Sequence, residues 1–148
     1  MNNINLEDIQ GTAKTLLDAS GDLTGVPILS DDGTYPQTPL REEALGTEGI
    51  VVVIWQITGA DNEDSIAARG RHSEVVEIMI AVEENRTINQ SATGLNFSAE
   101  KGVRLILEAL CGFPVETPFF AANPPWANLG TVDGVSQFII NLNIKTTI

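Results

Sequence analysis

The stretch IVVVIWQI, residues 50–57, is apolar on both faces. A strand of this kind is covered on both sides, so the pattern predicts a central position in a sheet. A second strand pattern, EVVEIMIAVEE at residues 74–84, follows after a polar segment. Two long strands joined in this way pair as an antiparallel hairpin. The pair formed by 50–57 and 74–84 is therefore the predicted centre of the fold.

The second of these strands has two different faces. One is uniformly apolar and consists of Val76, Ile78, Ile80 and Val82. The other is mixed, because Glu77 and Glu83 share it with Val75, Met79 and Ala81. We expect the mixed face to be partly exposed. We also expect the pair Glu83-Glu84, at the end of the strand, to occupy ordinary solvated positions.

Helical periodicity predicts three helices around the hairpin. Their spans are residues 6–19, 40–45 and 98–110. Asn5, Thr38 and Ser98 stand where N-cap side chains satisfy the first free backbone N–H groups. A glycine follows each span, as is typical of helix ends.

Two further strands and one irregular segment complete the pattern. Residues 25–29 are predicted to form a short edge strand or an extended lead-in, since Pro27 lacks a backbone donor. Residues 134–148 alternate clearly, and the core-facing positions are Phe138, Ile140, Leu142 and Ile144. Residues 114–126 hold four of the seven prolines and three aromatic residues, which favours an irregular loop. This loop either fills a gap beside the sheet or docks on a partner.

The predicted order of elements is α-β-α-β-β-α-β. The fold class is α+β, with a small, mostly antiparallel sheet of about four strands and a central hairpin with a long loop. Helices cover the sheet. The length of 148 residues fits one domain that spans residues 1–148.

Composition excludes several classes of protein. Hydrophobic residues make up 43% and charged residues 19%, which is too apolar for a disordered chain. No apolar run approaches the roughly 20 residues that span a bilayer, and the start MNNINLEDIQ lacks the pattern of a secretory signal. The net charge of −12 disfavours specific nucleic-acid binding, although a negative wall suits a passage through which DNA slides.

Residues that carry chemistry are scarce. His72 is the single histidine and Cys111 the single cysteine, so we expect no catalytic residue, no cofactor and no metal. A metal held by His72 and the nearby acidic residues is the alternative, but hairpin loops are often acidic because they are solvated. Cys111 closes a helix, where a buried small hydrophobic residue is the favoured interpretation over a nucleophile.

The polar loop of the hairpin, residues 59–73, is the exception to this scarcity. Arg69, Arg71 and His72 are three of the nine Lys, Arg and His residues of the chain. The loop carries both signs of charge, and a charged arm on an acidic protein suits contact with an oppositely charged neighbour, such as another copy of the chain. A mobile loop without a partner is the equal alternative.

With these elements in order, the sequence resembles tail terminator (tail completion) proteins of long-tailed bacteriophages, and the related minor tail or neck proteins of prophages. The resemblance covers most of the chain, from the helix at 6–19 to the closing strand. It is sharpest at Val82-Glu83-Glu84-Asn85, followed by Ile88-Asn89 and Thr93-Gly94, which is similar to the turn before the third helix of that family.

The resemblance implies a structural virion protein without enzymatic activity. Such a protein forms a homo-oligomeric ring, usually hexameric, that caps the tail tube, ends its polymerisation and offers a surface for joining the head. Its partners would be further copies of itself, the tail tube protein and the head–tail connector proteins, with DNA passing through the lumen. Arg69, Arg71 and His72 would contact a neighbouring subunit or the tube. It would be assembled in the host cytoplasm and located at the tail–neck junction of the virion.

Two alternatives from other classes stay open. The chain could be a small acidic enzyme or ligand-binding domain of the α+β type, which needs a pocket with convergent polar groups. It could also be an inhibitor, because small acidic proteins often neutralise basic partners. Mass in solution separates these functions, since a terminator assembles and an inhibitor stays monomeric.

Overall fold

A five-stranded mixed sheet organises the protein in a computed structural model that describes residues 8–31, 37–62, 73–91, 97–112 and 117–147. The strands are β1 (Ile28–Ser30), β2 (Ile50–Asn62), β3 (Ser73–Asn85), β4 (Phe119–Val132) and β5 (Val135–Thr147). Their spatial order is β1-β2-β3-β5-β4. β1 pairs with β2 in parallel, and the other neighbours are antiparallel. The α+β class is confirmed, but the sheet has a fifth strand that the sequence did not predict.

Four α-helices accompany the described strands. They are α1 (Ile9–Asp18), α2 (Gln37–Thr47), α3 (Arg86–Ser91) and α4 (Ala99–Cys111). The cap at Ser98 is confirmed, because its hydroxyl accepts a hydrogen bond of 3.4 Å from the Lys101 N–H. The cap at Thr38 and the helix end at Gly46 are both wrong, since α2 runs from Gln37 to Thr47. Asn5 lies outside the described residues.

The main core lies between one face of the sheet and the helices α1 and α4. Ile54, Ile80 and Ile140 of the three central strands are fully buried there against Ile106 of α4. The alternation predicted for β3 and β5 is confirmed, because their core-facing positions all belong to this cluster: Val76, Ile78, Ile80, Val82, Phe138, Ile140, Leu142 and Ile144. We call this side of the sheet the main face.

The opposite side of the sheet, which we call the second face, carries a much smaller cluster. Its buried members are Ala44, Leu45, Val51, Val53, Ala81 and Ile139. Only Ala44 and Leu45 come from a helix, and both belong to α2. Among the described residues, α2 is thus the element that covers the second face, and it does so at one end.

Strand β4 corrects the prediction of an irregular loop up to Trp126. The strand runs from Phe119 at one edge of the sheet, and its pairing with β5 shifts register between Ala121 and Trp126. Pro124 and Pro125 lie inside this shift, where a missing N–H costs no ladder hydrogen bond. Phe119 and Trp126 pack toward the main core and fill space beside the sheet, whereas Phe120 is exposed.

The hairpin turn between β4 and β5 consists of Asp133 and Gly134. Their φ angles of 52° and 80° are both left-handed, as a two-residue turn of type I′ requires. A second difference from the sequence prediction is α3, which begins at Arg86 where a polar loop was expected. The order of the described elements is therefore α-β-α-β-β-α-α-β-β.

Candidate functional site

A cleft of about 390 Å³ lies between α2 and the β4–β5 turn. The residues that line it are Arg41, Glu42, Leu45, Glu83, Leu129, Gly130, Val132, Asp133, Val135 and Gln137. Because three strands and a helix meet here, residues far apart in sequence converge at the open end of the sheet. We call this feature the Glu83 cleft.

Glu83 provides the charge at the base of the Glu83 cleft. It is only 3% exposed, because α2 lies over the end of β3. Its Oε2 lies 3.4 Å from Arg41 Nε, and its Oε1 accepts a hydrogen bond of 3.3 Å from Gln137 Nε2. Burial raises the pKa of the Glu83 carboxyl, while Arg41 and the Gln137 hydrogen bond oppose that rise.

The rim of the Glu83 cleft combines carboxylates with exposed apolar side chains. Glu42 and Asp133 are exposed at the rim. Leu129 is 57% exposed and Val132 71% exposed, which is unusual for large aliphatic residues. A surface of this composition can bind a side chain that is both cationic and partly aliphatic.

The neighbouring residue, Glu84, performs a different task on the main face. It is 2% exposed and accepts hydrogen bonds from Asn89 Nδ2 at 2.5 Å and from the Ala99 N–H at 3.2 Å. Asn89 Nδ2 also donates to the Phe97 carbonyl at 3.0 Å. The Glu84 carboxylate therefore ties β3 to α3 and to the start of α4. The prediction that Glu83 and Glu84 are solvated is wrong for both residues.

Gly49 allows α3 to approach β2 closely. Its φ is +79°, and a Cβ at this position would lie 2.3 Å from the backbone nitrogen of Asn89. The Gly49 carbonyl also accepts a hydrogen bond of 2.8 Å from the Asn85 N–H. Only glycine fits both the backbone conformation and the space.

The candidate contact residues from the sequence, Arg69, Arg71 and His72, lie outside the described residues. Cys111 is half-buried at the end of α4 and packs against the main core. Burial raises the pKa of its thiol, which lowers the reactive thiolate fraction. In the described part of the chain, no three His, Cys, Asp or Glu residues group closely enough to hold a metal ion. None of the helices described there has the length and apolarity to cross a membrane.

Sequence reasoning missed the residues that build the Glu83 cleft. Arg41 and Gln137 gave no signal, because each is an ordinary polar residue in its own element. The one available signal was Asp133-Gly134, a dipeptide typical of tight hairpins. A tight hairpin at Asp133-Gly134 requires a strand before the turn, and that strand forms the wall of the cleft beside Glu83.

A scan against protein-family models finds no match to the chain. A search of curated proteins finds no significant match.

Proposed function

We propose that this chain is a structural virion protein that forms a ring on the tail tube of a bacteriophage or prophage. The ring ends tube polymerisation and offers the surface for head joining. The proposal starts from the resemblance at residues 82–85, 88–89 and 93–94 and takes its physical support from the two faces of the sheet. Its partners are further copies of the chain, the tail tube protein and the head–tail connector proteins, at the tail–neck junction.

The observation that carries the proposal is the unequal cover of the sheet. Two helices, α1 and α4, pack on the main face, whereas α2 covers one end of the second face among the described residues. At the other end, Glu77 is exposed, and Asn141 and Asn143 are half-exposed. A polar surface that carries the Glu77 carboxylate favours the passage of DNA without binding, since a carboxylate repels the phosphate backbone.

Burial of Glu83 changes the detail of the expected lumen. The mixed face of β3 was expected to present Glu77 and Glu83 together, but α2 and Arg41 cover Glu83. Glu77 is exposed, as a residue that lines the proposed lumen should be. In the proposed ring, the Glu77 end of the second face points inward, and α1 and α4 lie outside.

Mass in solution tests the proposal. Native mass spectrometry and light scattering over a wide range of protein concentration and salt should reveal a closed oligomer, with the hexamer as the expected species. The range must extend to high concentration, because some terminators assemble only at the tube tip. A monomer under every condition would contradict ring formation.

The second candidate function is a small ligand-binding or enzymatic domain, and the Glu83 cleft favours it. A buried carboxylate with a raised pKa beside an arginine is typical of sites that bind or activate a ligand. A thermal-shift screen of cationic and amphipathic small molecules tests this function. A ligand that stabilises wild type but not Glu83→Gln would support it.

A further inference from the structure

The Glu83 cleft and the cationic arm lie at opposite ends of the same strand. The arm, which we define as residues 65–72, carries Arg69 and Arg71, follows the acidic pair Glu63-Asp64 and ends where β3 begins at Ser73. Glu83 is ten residues farther along β3, and the pairing with β5 shows no register shift over this length. At about 3.3 Å per residue, the Cα atoms of Ser73 and Glu83 are about 33 Å apart.

An arm of this length does not reach the cleft of its own copy. Arg69 is four residues before Ser73, so its Cα lies within about 14 Å of that residue even if the chain is fully extended. The shortfall of about 19 Å is much longer than an arginine side chain. The far wall of the cleft is more distant still, because Val135 pairs with Asn85 beyond Glu83.

The chemistry of the two regions is complementary. The cleft combines three carboxylates, from Glu42, Glu83 and Asp133, with the single guanidinium of Arg41 and with exposed apolar side chains. Residues 65–72, SIAARGRH, combine two arginines with an isoleucine and two alanines. The acidic surface of a second copy is repelled by the carboxylates of the cleft. The arm carries Arg69 and Arg71, so it is the segment of the second copy that the cleft attracts.

We propose that the Glu83 cleft of one copy receives the arm of a second copy, with Arg69 and Arg71 facing the carboxylates. The contact joins one end of the sheet in one copy to the other end in the next. It is a heterologous contact, which closes into a ring or continues as a filament rather than ending at a dimer. The inference rests on the proposed function and names the surface through which the ring would assemble.

The free edges of the sheet make strand pairing between copies a weaker route. β1 has only three residues, and the part of β2 beyond its pairing with β1 carries two register shifts between Ile54 and Gly59. β4 carries two register shifts along its outer length, which interrupt the straight edge that a further strand needs. A side-chain contact in a cleft avoids both obstacles.

Binding of a synthetic peptide tests the contact without requiring a ring. The probe is a fluorescent peptide with the sequence of residues 65–72, titrated with the full chain at low and high salt. We expect salt-sensitive binding that weakens about tenfold in a cleft variant, Glu42→Arg with Asp133→Asn, because like charges then face each other. Asparagine is chosen at 133 because it tolerates the left-handed turn.

Two controls make the result specific. The variant Glu100→Arg with Glu108→Gln makes the same change in net charge on α4, which packs on the opposite face of the sheet, and should bind the peptide like wild type. A peptide with both arginines replaced by glutamate should not bind. No binding to wild type, or equal binding to the cleft variant and wild type, overturns the proposal.

Charge exchange tests the same contact in assembly. An arm variant, Arg69→Glu with Arg71→Glu, should fail to oligomerise alone, and so should the cleft variant. A mixture of the two should co-assemble, because the native arm of one variant fits the native cleft of the other and their reversed charges also face each other. If wild type assembles and the folded variants assemble equally well alone, the ring stands and the arm–cleft contact fails. If the peptide binds as expected and wild type forms open chains of varied length in place of a closed oligomer, the contact stands and the ring fails.

Discussion

Glu83 and Glu84 are adjacent residues, and they show how differently the two faces of the sheet are built. Glu84 lies on the main face, where it accepts two hydrogen bonds that fix α3 and α4. Glu83 lies on the second face, with one long hydrogen bond and one long ion contact at the base of an open cleft. The main face thus uses its buried carboxylate to join three elements, whereas the second face holds its buried carboxylate by longer contacts beside an open cleft.

The largest expected difference between the faces is in packing. Ile106 of α4 is fully buried in the main core, so Ile106→Ala should cost about 4 kcal/mol of the free energy of unfolding. Leu45 of α2 contacts a smaller cluster beside an open cleft, so Leu45→Ala should cost about 2 kcal/mol. Urea denaturation measures both values. Equal costs would show that α2 is packed as firmly as α4.

The close approach of α3 to β2 gives the next effect. Gly49→Ala should cost about 3 kcal/mol, because it combines a left-handed backbone with a clash against the backbone of Asn89. Gly46→Ala is the matched control: it lies inside α2 with open space at its Cβ, and it should be neutral or slightly stabilising. Thermal unfolding compares the two. If Gly49→Ala leaves the melting temperature unchanged, the backbone of Asn89 does not approach Gly49 closely.

The carboxylate of the main face gives a smaller effect. Glu84→Gln should cost about 2 kcal/mol, because its amide NH₂ faces a donor where an oxygen now accepts. Glu108→Gln, on the exposed side of α4, should change stability by less than about 0.5 kcal/mol. Hydrogen exchange should show the Ala99 amide losing protection in the Glu84 variant alone. Unchanged protection there would mean that the carboxylate is not what holds α4.

The smallest effect is a pH dependence that belongs to the second face. The pKa of Glu83 in the folded protein is raised above its ordinary value of 4.5, so the folded state binds more protons than the unfolded state just above that pH. Stability then falls as the pH rises through this window. Glu83→Gln should lack this fall, and the difference between the two stability profiles isolates it.

Urea melts of the wild type and Glu83→Gln between about pH 4 and pH 8 provide this difference. The glutamine variant should gain relative stability as the pH rises. If the wild type gains instead, Arg41 stabilises the Glu83 carboxylate more than burial penalises it.

The sequence predicted those parts of the fold that local patterns determine. IVVVIWQI at 50–57 lies between two neighbouring strands, as its uniform apolarity indicates. The alternation in β5 identified the core-facing side correctly. Strand β4 was missed because prolines are poor strand formers, yet at an edge they remove no needed hydrogen bond.

The Glu83 cleft depends on tertiary contacts that no local pattern reports. A glutamate at the end of a strand is usually solvated, and only the position of α2 over β3 buries Glu83. Likewise, Glu84 is buried because α3 and α4 return over the main face. The cationic arm, in contrast, was evident from the sequence, since cations are rare in this chain.

Electron microscopy of the purified chain tests the central claim, a closed ring built by head-to-tail contacts, most directly. Micrographs at high protein concentration should show rings of uniform diameter with an open centre, and the arm variant Arg69→Glu with Arg71→Glu should show none. Mixing it with the cleft variant should restore the rings. Fields of single small particles for the wild type at every concentration would contradict the claim.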